Sequence, residues 1–353
     1  MGEKKYVAYV GTYTHGSSKG INIYDVDVKE GTLTFRKEVQ VNNSSYVTKS
    51  FNDKYLYSIA DEGVEVFKIL PDGDLTPINQ VDIDGMRGCH MSTDSTGRYL
   101  FVAGYHDGKV TVVHTRRDGS LGSVMDGVFH KGTGTVAERT FRPHVCCVRP
   151  TPDNKYLCAV DSGIDQVKIY RINEEKDRLD EAEILRFERD SGPRIIRFSK
   201  SGKFAYVLCE LTNSIEVYSY DGTGKTPKFE KIQEVSTLSD AEDVHDAAEG
   251  MRLSPDQRFL FCSTAGDNSV GLFKINPDNG LLEHRFTLPI SGEYPKDMGV
   301  FPDGEHIAVV NNGSNTITTF TVDYKNNLLI MKGKPQKLET PNSILIMEVP
   351  EEE

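Results

Sequence analysis

Six residues stand ten positions ahead of a recurring aromatic or its equivalent: Ser45, Cys89, Cys146, Arg194, Glu249 and Lys296. His90 and His144 stand nine and twelve positions ahead of theirs. Guanidinium and ammonium groups stabilise anionic oxygens, an imidazole exchanges protons near neutrality, and a carboxylate orients or activates water. Such a mix of charged and polar groups is unusual for positions that face inward from strands. Solvated groups lining a water-filled channel are the plainer alternative.

The aromatics belong to a phrase made of a turn, a Lys or Arg, an aromatic and an apolar run. It reads Lys5-Tyr6, Lys54-Tyr55, Arg98-Tyr99, Lys155-Tyr156, Lys203-Phe204 and Arg258-Phe259, with a degenerate copy at Glu305-His306. Successive spacings are 49, 44, 57, 48, 55 and 47 residues. A second alternating run follows each phrase, as at Val167-Lys168-Ile169-Tyr170 and Ile215-Glu216-Val217-Tyr218. An apolar segment precedes it, as at Cys146-Cys147-Val148-Arg149-Pro150, Ile195-Ile196-Arg197-Phe198 and Met251-Arg252-Leu253-Ser254-Pro255. A weaker fourth run comes last, as at 75–81 and 281–288. Period-two alternation between Gly, Asn and Asp clusters marks strands and hairpins. Four antiparallel strands in each of seven repeats specify an all-β, seven-bladed propeller, a single domain over 1–353. The first copy lacks its leading strand, and Pro341–Glu348 resembles the missing piece. It is predicted to pair beside 6–11 and close the ring.

Inner strands of a propeller surround a channel, so the ten-back column should converge at one mouth. The longer repeats place extra residues within 116–143 and 222–248, just before inner strands. These loops should rise over the same mouth as a lid or rim, carrying Glu138, Arg139, Arg142, His245 and Asp246.

Composition narrows the partners. Net charge is 41 − 53 = −12, against a nucleic-acid or anionic-membrane surface. No secretory h-region or 18-residue apolar run is present. The six cysteines form neither a CxxC pair nor a disulfide framework, which points to a reduced, cytoplasmic protein. Cys146 and Cys147 should face opposite ways, one to the core and one to the channel. Gly222-Thr223-Gly224-Lys225-Thr226 lacks the first Gly of a phosphate loop and runs into Pro227. His245 and Glu249 lack a second His for zinc, and no G-x-S-x-G elbow occurs. Asn276-Pro277-Asp278-Asn279-Gly280 reads as a turn, lacking the downstream Glu of a calcium loop. No metal or cofactor is expected.

Taken together, the motifs resemble the seven-bladed lactonase propellers, which include bacterial 6-phosphogluconolactonases. The resemblance spans about 6 to 348. It rests on Tyr9-Val10-Gly11-Thr12-Tyr13-Thr14, Cys89-His90, Tyr105-His106-Asp107-Gly108-Lys109-Val110 and Glu138-Arg139 leading to Pro143-His144. Gly192-Pro193-Arg194, Glu210-Leu211 and Pro295-Lys296-Asp297 complete it. Fungal muconate-lactonising enzymes belong to the same family, and their site His, Arg and Glu match His144, Arg194 and Glu210. Cys146 and Ile195 stand where the family usually has His, and Lys296 where it usually has Arg.

The resemblance implies hydrolysis of a sugar lactone, with 6-phosphoglucono-δ-lactone the favoured substrate. His144 is the expected base, with Glu210 orienting it or replacing it, and Arg194 stabilising the oxyanion. Arg139 and Lys296 are candidates for the substrate phosphate, His90 and His106 for the rim, and Glu249 for substrate contact or an ion pair with Arg194. A ligand- or protein-binding propeller without chemistry and a muconate-type cycloisomerase are the alternatives.

Overall fold

Residues 4–134, 141–238 and 247–350 are described by the computed structural model. The phrase aromatics open strands whose alternate residues pack against neighbouring sheets. The run Tyr99–Gly104, for instance, is buried throughout. Seven antiparallel sheets form, each from four consecutive strand segments, except that the first borrows its leading strand from the C-terminal end. One complete unit comprises Val145–Pro150, Tyr156–Asp161, Gln166–Asn173 and Arg178–Arg186. In the seventh sheet, a short extra segment, Gln336–Lys337, also pairs with Thr316–Asp323. The strand predicted over 75–81 is observed as Leu75–Val81, and that over 281–288 as Leu282–Pro289.

Closure takes the predicted form. Pro341–Glu348 pairs antiparallel with Tyr6–Thr12, with Tyr6 opposite Glu348 and Gly11 opposite Ser343. The leading strands touch one another in a circuit. It runs from Pro341–Glu348 through Val47–Lys49, His90–Thr93, Val145–Pro150, Pro193–Phe198 and Ala247–Leu253 to Pro295–Val300, then back. This pairing covers the edge of Tyr6–Thr12 that would otherwise be left open.

Packing between sheets explains why the phrase recurs. Apolar clusters lie between adjacent sheets. One joins Tyr99, Phe101, Val110 and Val112 to Val145, Val148, Leu157 and Ala159. The phrase residue also covers a turn of the next sheet. Tyr55 lies against Gly119, whose φ is +79°, and a Cβ there would fall inside the Tyr55 ring. The neighbouring Tyr57 hydroxyl donates to the Gly119 carbonyl at 3.3 Å. His306 covers Gly31 in the same way, so the degenerate seventh copy seals the joint with the first sheet.

Candidate active site

Five of the seven leading strands share an irregularity that aims the column. In Val145–Pro150, Val145 pairs with Asp161 and Cys147 with Val160, leaving Cys146 unpaired. Arg194, Glu249 and Lys296 are skipped likewise in their strands, and Asn342 in the closing strand. Each is the extra residue of a β-bulge, a device that bends a strand and redirects one side chain. All five line one cavity of about 340 Å³ at the centre of the ring. Cys89 joins them, while Ser45, the remaining column member, is buried and does not.

Charged groups in this cavity are bonded to one another. Arg194 Nη1 donates to Glu210 Oε2 at 2.6 Å, and Nη2 lies 2.6 Å from Glu249 Oε2. Its Nε donates to the Glu249 carbonyl at 3.1 Å. Lys296 Nζ reaches Glu249 Oε2 and the Tyr294 hydroxyl reaches Oε1, both at 2.8 Å. Burial disfavours the charged guanidinium, yet Glu249 and Glu210 hold the Arg194 pKa well above its usual value. Burial likewise opposes ionisation of Glu249, but Arg194 and then Lys296 keep its pKa below the ordinary carboxylate range. Two cations therefore face two carboxylates, and the network is neutral overall. Tyr294 adopts φ +55°, a left-handed conformation that costs a non-glycine residue about 1–3 kcal/mol. Its amide donates to Asn268 Oδ1 at 2.8 Å, and that bond helps hold the turn.

A model of the seven-bladed β-propeller lactonase family matches residues 7–346. The chain belongs to that family. Its chemistry is that of a carboxylic-ester hydrolase acting on a lactone. A 6-phosphogluconolactonase of Bacillus subtilis is 31% identical over 348 residues, covering 97% of this chain and 98% of that protein. One from Formosa agariphila is 29% identical, with 94% of each chain covered. The structure of a periplasmic gluconolactonase from Pseudomonas aeruginosa superposes with a TM-score of 0.91 at 29% identity. That match covers 98% of this chain and 100% of the other.

The lactonase cavity gathers most of the residues expected from sequence, namely His90, His106, Arg194, Glu210, Glu249 and Lys296. Glu210 reaches it from the end of Phe204–Cys209, and Arg194 meets both Glu210 and Glu249. Cys146 lines the cavity and Cys147 lies in the core, opposite faces as anticipated. Burial pushes the Cys146 thiol up to about 12, so it is a neutral wall residue.

Two histidines depart from expectation. His144 does not line the cavity. Its ring stacks behind Tyr105, with centroids 4.3 Å apart, and its Nδ1 donates to the Tyr105 carbonyl at 2.7 Å. Twelve-back counting overshoots the bulge by two residues, which places His144 outside the set that the bulges turn inward. His90 is on the floor instead of the rim, buried and 4.5 Å from the Tyr46 ring. Burial and then Arg149 keep it neutral, with a pKa well below the usual imidazole value. His106 is the exposed member at the mouth, and partial burial followed by Arg87 lowers its pKa. Glu138, Arg139, His245 and Asp246 lie outside the described residues. Arg142 is exposed and lies over the Phe141 ring, 5.4 Å from its centroid, within cation–π range.

Sequence reasoning missed Tyr13, Tyr46, Arg87, Tyr294, Asn342 and the floor residues Arg197, Arg252 and Asp297. Asn342 takes the seventh position of the column and is a bulge residue, but no aromatic follows it from which to count back. Arg197 and Arg252 sit three residues beyond column members, inside segments whose apolar neighbours dominated the pattern. Among the described residues, no group of three or more His, Cys, Asp and Glu could hold a metal ion, and no helix is long and apolar enough to cross a membrane.

Proposed function

We propose that the cavity hydrolyses 6-phosphoglucono-δ-lactone to 6-phosphogluconate, with Glu210 and Arg194 as the catalytic pair. The observation that carries this reading is the Arg194 guanidinium clamped between Glu210 and Glu249 inside a buried, hexose-sized cavity. A guanidinium has five N–H donors, and three are engaged as described, so 5 − 3 = 2 remain. These are available to the lactone carbonyl oxygen as it gains charge. Glu210 accepts a proton from the attacking water while the new C–O bond forms. Collapse of the tetrahedral intermediate breaks the ring C–O bond, and the protonated Glu210 returns its proton to the ring oxygen, which leaves as a hydroxyl. Lys296 and Tyr294 hold Glu249, and Glu249 fixes Arg194.

His144 serves here as a positioning residue through Tyr105, because its ring stands behind that wall. The 6-phospho preference is supported by the relatives named 6-phosphogluconolactonase. It is tested by comparing kcat/KM for 6-phosphoglucono-δ-lactone, unphosphorylated gluconolactone and a muconate acid. Preference for the phosphorylated lactone is expected. Equal use of both lactones would remove the phosphate from the reading, and turnover no faster than buffer would remove the reading itself.

A further inference from the structure

Below the floor of the upper cavity, the channel continues into a second cavity of about 560 Å³. The two share Tyr46, Arg197 and Arg252 as lining residues. The lower one is also lined by Lys49, Ser92 and Arg149. Arg149, Arg197 and Arg252 each lie three residues beyond a bulge residue, Cys146, Arg194 and Glu249, so three successive sheets contribute one guanidinium each.

Their pairing is incomplete. Arg252 Nη2 bonds Asp297 Oδ2 at 2.5 Å and its Nε donates to the Met298 carbonyl at 3.0 Å. Lys49 pairs with Asp53 at 2.7 Å. Among the described residues, no carboxylate pairs with Arg149 or Arg197. Arg197, only 9% exposed, donates Nη1 to the Ile196 carbonyl at 3.2 Å. Arg149 Nε is buried without a hydrogen-bond partner. Burial, followed by repulsion from Arg149 and Arg252, lowers the Arg197 pKa to about 10. His90 beside them adds no charge. The Val148 amide donates to its Nδ1 at 3.3 Å, which fixes a neutral ring.

Unpaired buried cations are costly, and a desolvated charge without a counter-ion is normally neutralised or paired. Planar guanidinium forks match tetrahedral oxyanions, and two uncompensated charges match a dianion. We propose that Arg149, Arg197 and Arg252 form a binding site for a phosphate-class dianion in the lower half of the channel. The ligand is either free phosphate entering from the far mouth or the phosphoryl group of an ester reaching through the shared floor. The site stands on the arginine cluster alone and does not depend on the lactonase mechanism.

The test is calorimetric titration of inorganic phosphate at low ionic strength into the wild type, Arg197→Met and Arg149→Met. The wild type is expected to show one saturable site, weakened tenfold or more in each variant. Thermal unfolding supplies a second readout. Without phosphate, Arg197→Met should melt no lower than the wild type, because repulsion is relieved. With phosphate, only the wild type should gain in Tm. Should either methionine variant fail to fold, Arg197→Lys retains the charge, loses the fork and should bind with intermediate affinity. Absence of saturable phosphate binding, or equal affinity in wild type and variants, overturns the proposal. Displacement of phosphate by 6-phosphogluconate but not gluconate assigns the site to an ester's phosphoryl group. Phosphate binding unaffected by either sugar acid assigns it to a free anion. Because binding is read without turnover, its failure leaves the lactonase mechanism standing.

Discussion

The two halves of the channel are built from the same strands and carry opposite electrostatic designs. In the upper half, Arg194 and Lys296 face Glu210 and Glu249, and each of these four charges has a partner. In the lower half, three residues further along the same strands, Asp297 answers Arg252 while Arg149 and Arg197 find no carboxylate among the described residues. A lactone ring is neutral at the reacting carbonyl and gains charge only in the transition state. A pre-paired guanidinium with two spare donors suits that event, because it is already oriented and needs no reorganisation. An unpaired cluster suits a ligand that arrives charged. Local backbone geometry separates the two, since bulge residues are redirected into the cavity and residues beyond the bulge resume normal pairing.

The comparison can be broken most severely at Glu210. Glu210→Gln removes the base while keeping the shape, and kcat/KM should fall on the order of 10²–10⁴-fold in a steady-state lactone assay. The parallel loss in Arg197→Met should be small for an unphosphorylated lactone, which confines the chemistry to the upper half. Next comes the ion network. Glu249→Gln leaves Arg194 and Lys296 with one carboxylate between them, so urea unfolding should show a loss of about 3–5 kcal/mol. Tyr294→Phe removes one hydrogen bond to that carboxylate and should cost about 1.5–3 kcal/mol by the same measurement.

Acid sharpens the same point. The folded pKa of Glu249 is depressed, so its contribution to stability is present above the unfolded value of about 4.3. That contribution is lost as pH falls through the folded pKa. Glu249→Gln should therefore have a shallower acid limb in a plot of unfolding free energy against pH. An unchanged acid limb would contradict the pairing. The smallest effect, about 1–3 kcal/mol, is expected from Gly119→Ala. It forces a Cβ into Tyr55 at positive φ and tests the packing between the second and third sheets.

Much of this arrangement is legible in the chain because a propeller repeats its geometry. The phrase aromatics keep a fixed relation to the bulge, so counting ten residues back finds Cys146, Arg194, Glu249 and Lys296 without any knowledge of hydrogen bonding. The same regularity makes Pro341–Glu348 recognisable as a displaced strand. What escaped was whatever lacked that anchor. Asn342 has no phrase downstream, Tyr13 and Tyr294 come from turns, and His144 depends on which way a bulge rotates its neighbours. Arg149, Arg197 and Arg252 were visible but embedded in apolar runs, where alternation alone does not reveal which side chains share a channel. Glu210 was found through the family resemblance alone.

The most direct test is kcat/KM for 6-phosphoglucono-δ-lactone in Arg194→Met, with folding checked by circular dichroism. The bulge-aimed network predicts a loss of about 10²–10³-fold in a folded protein. A folded Arg194→Met enzyme with wild-type kcat/KM would contradict the placement of the chemistry in the upper half of the channel.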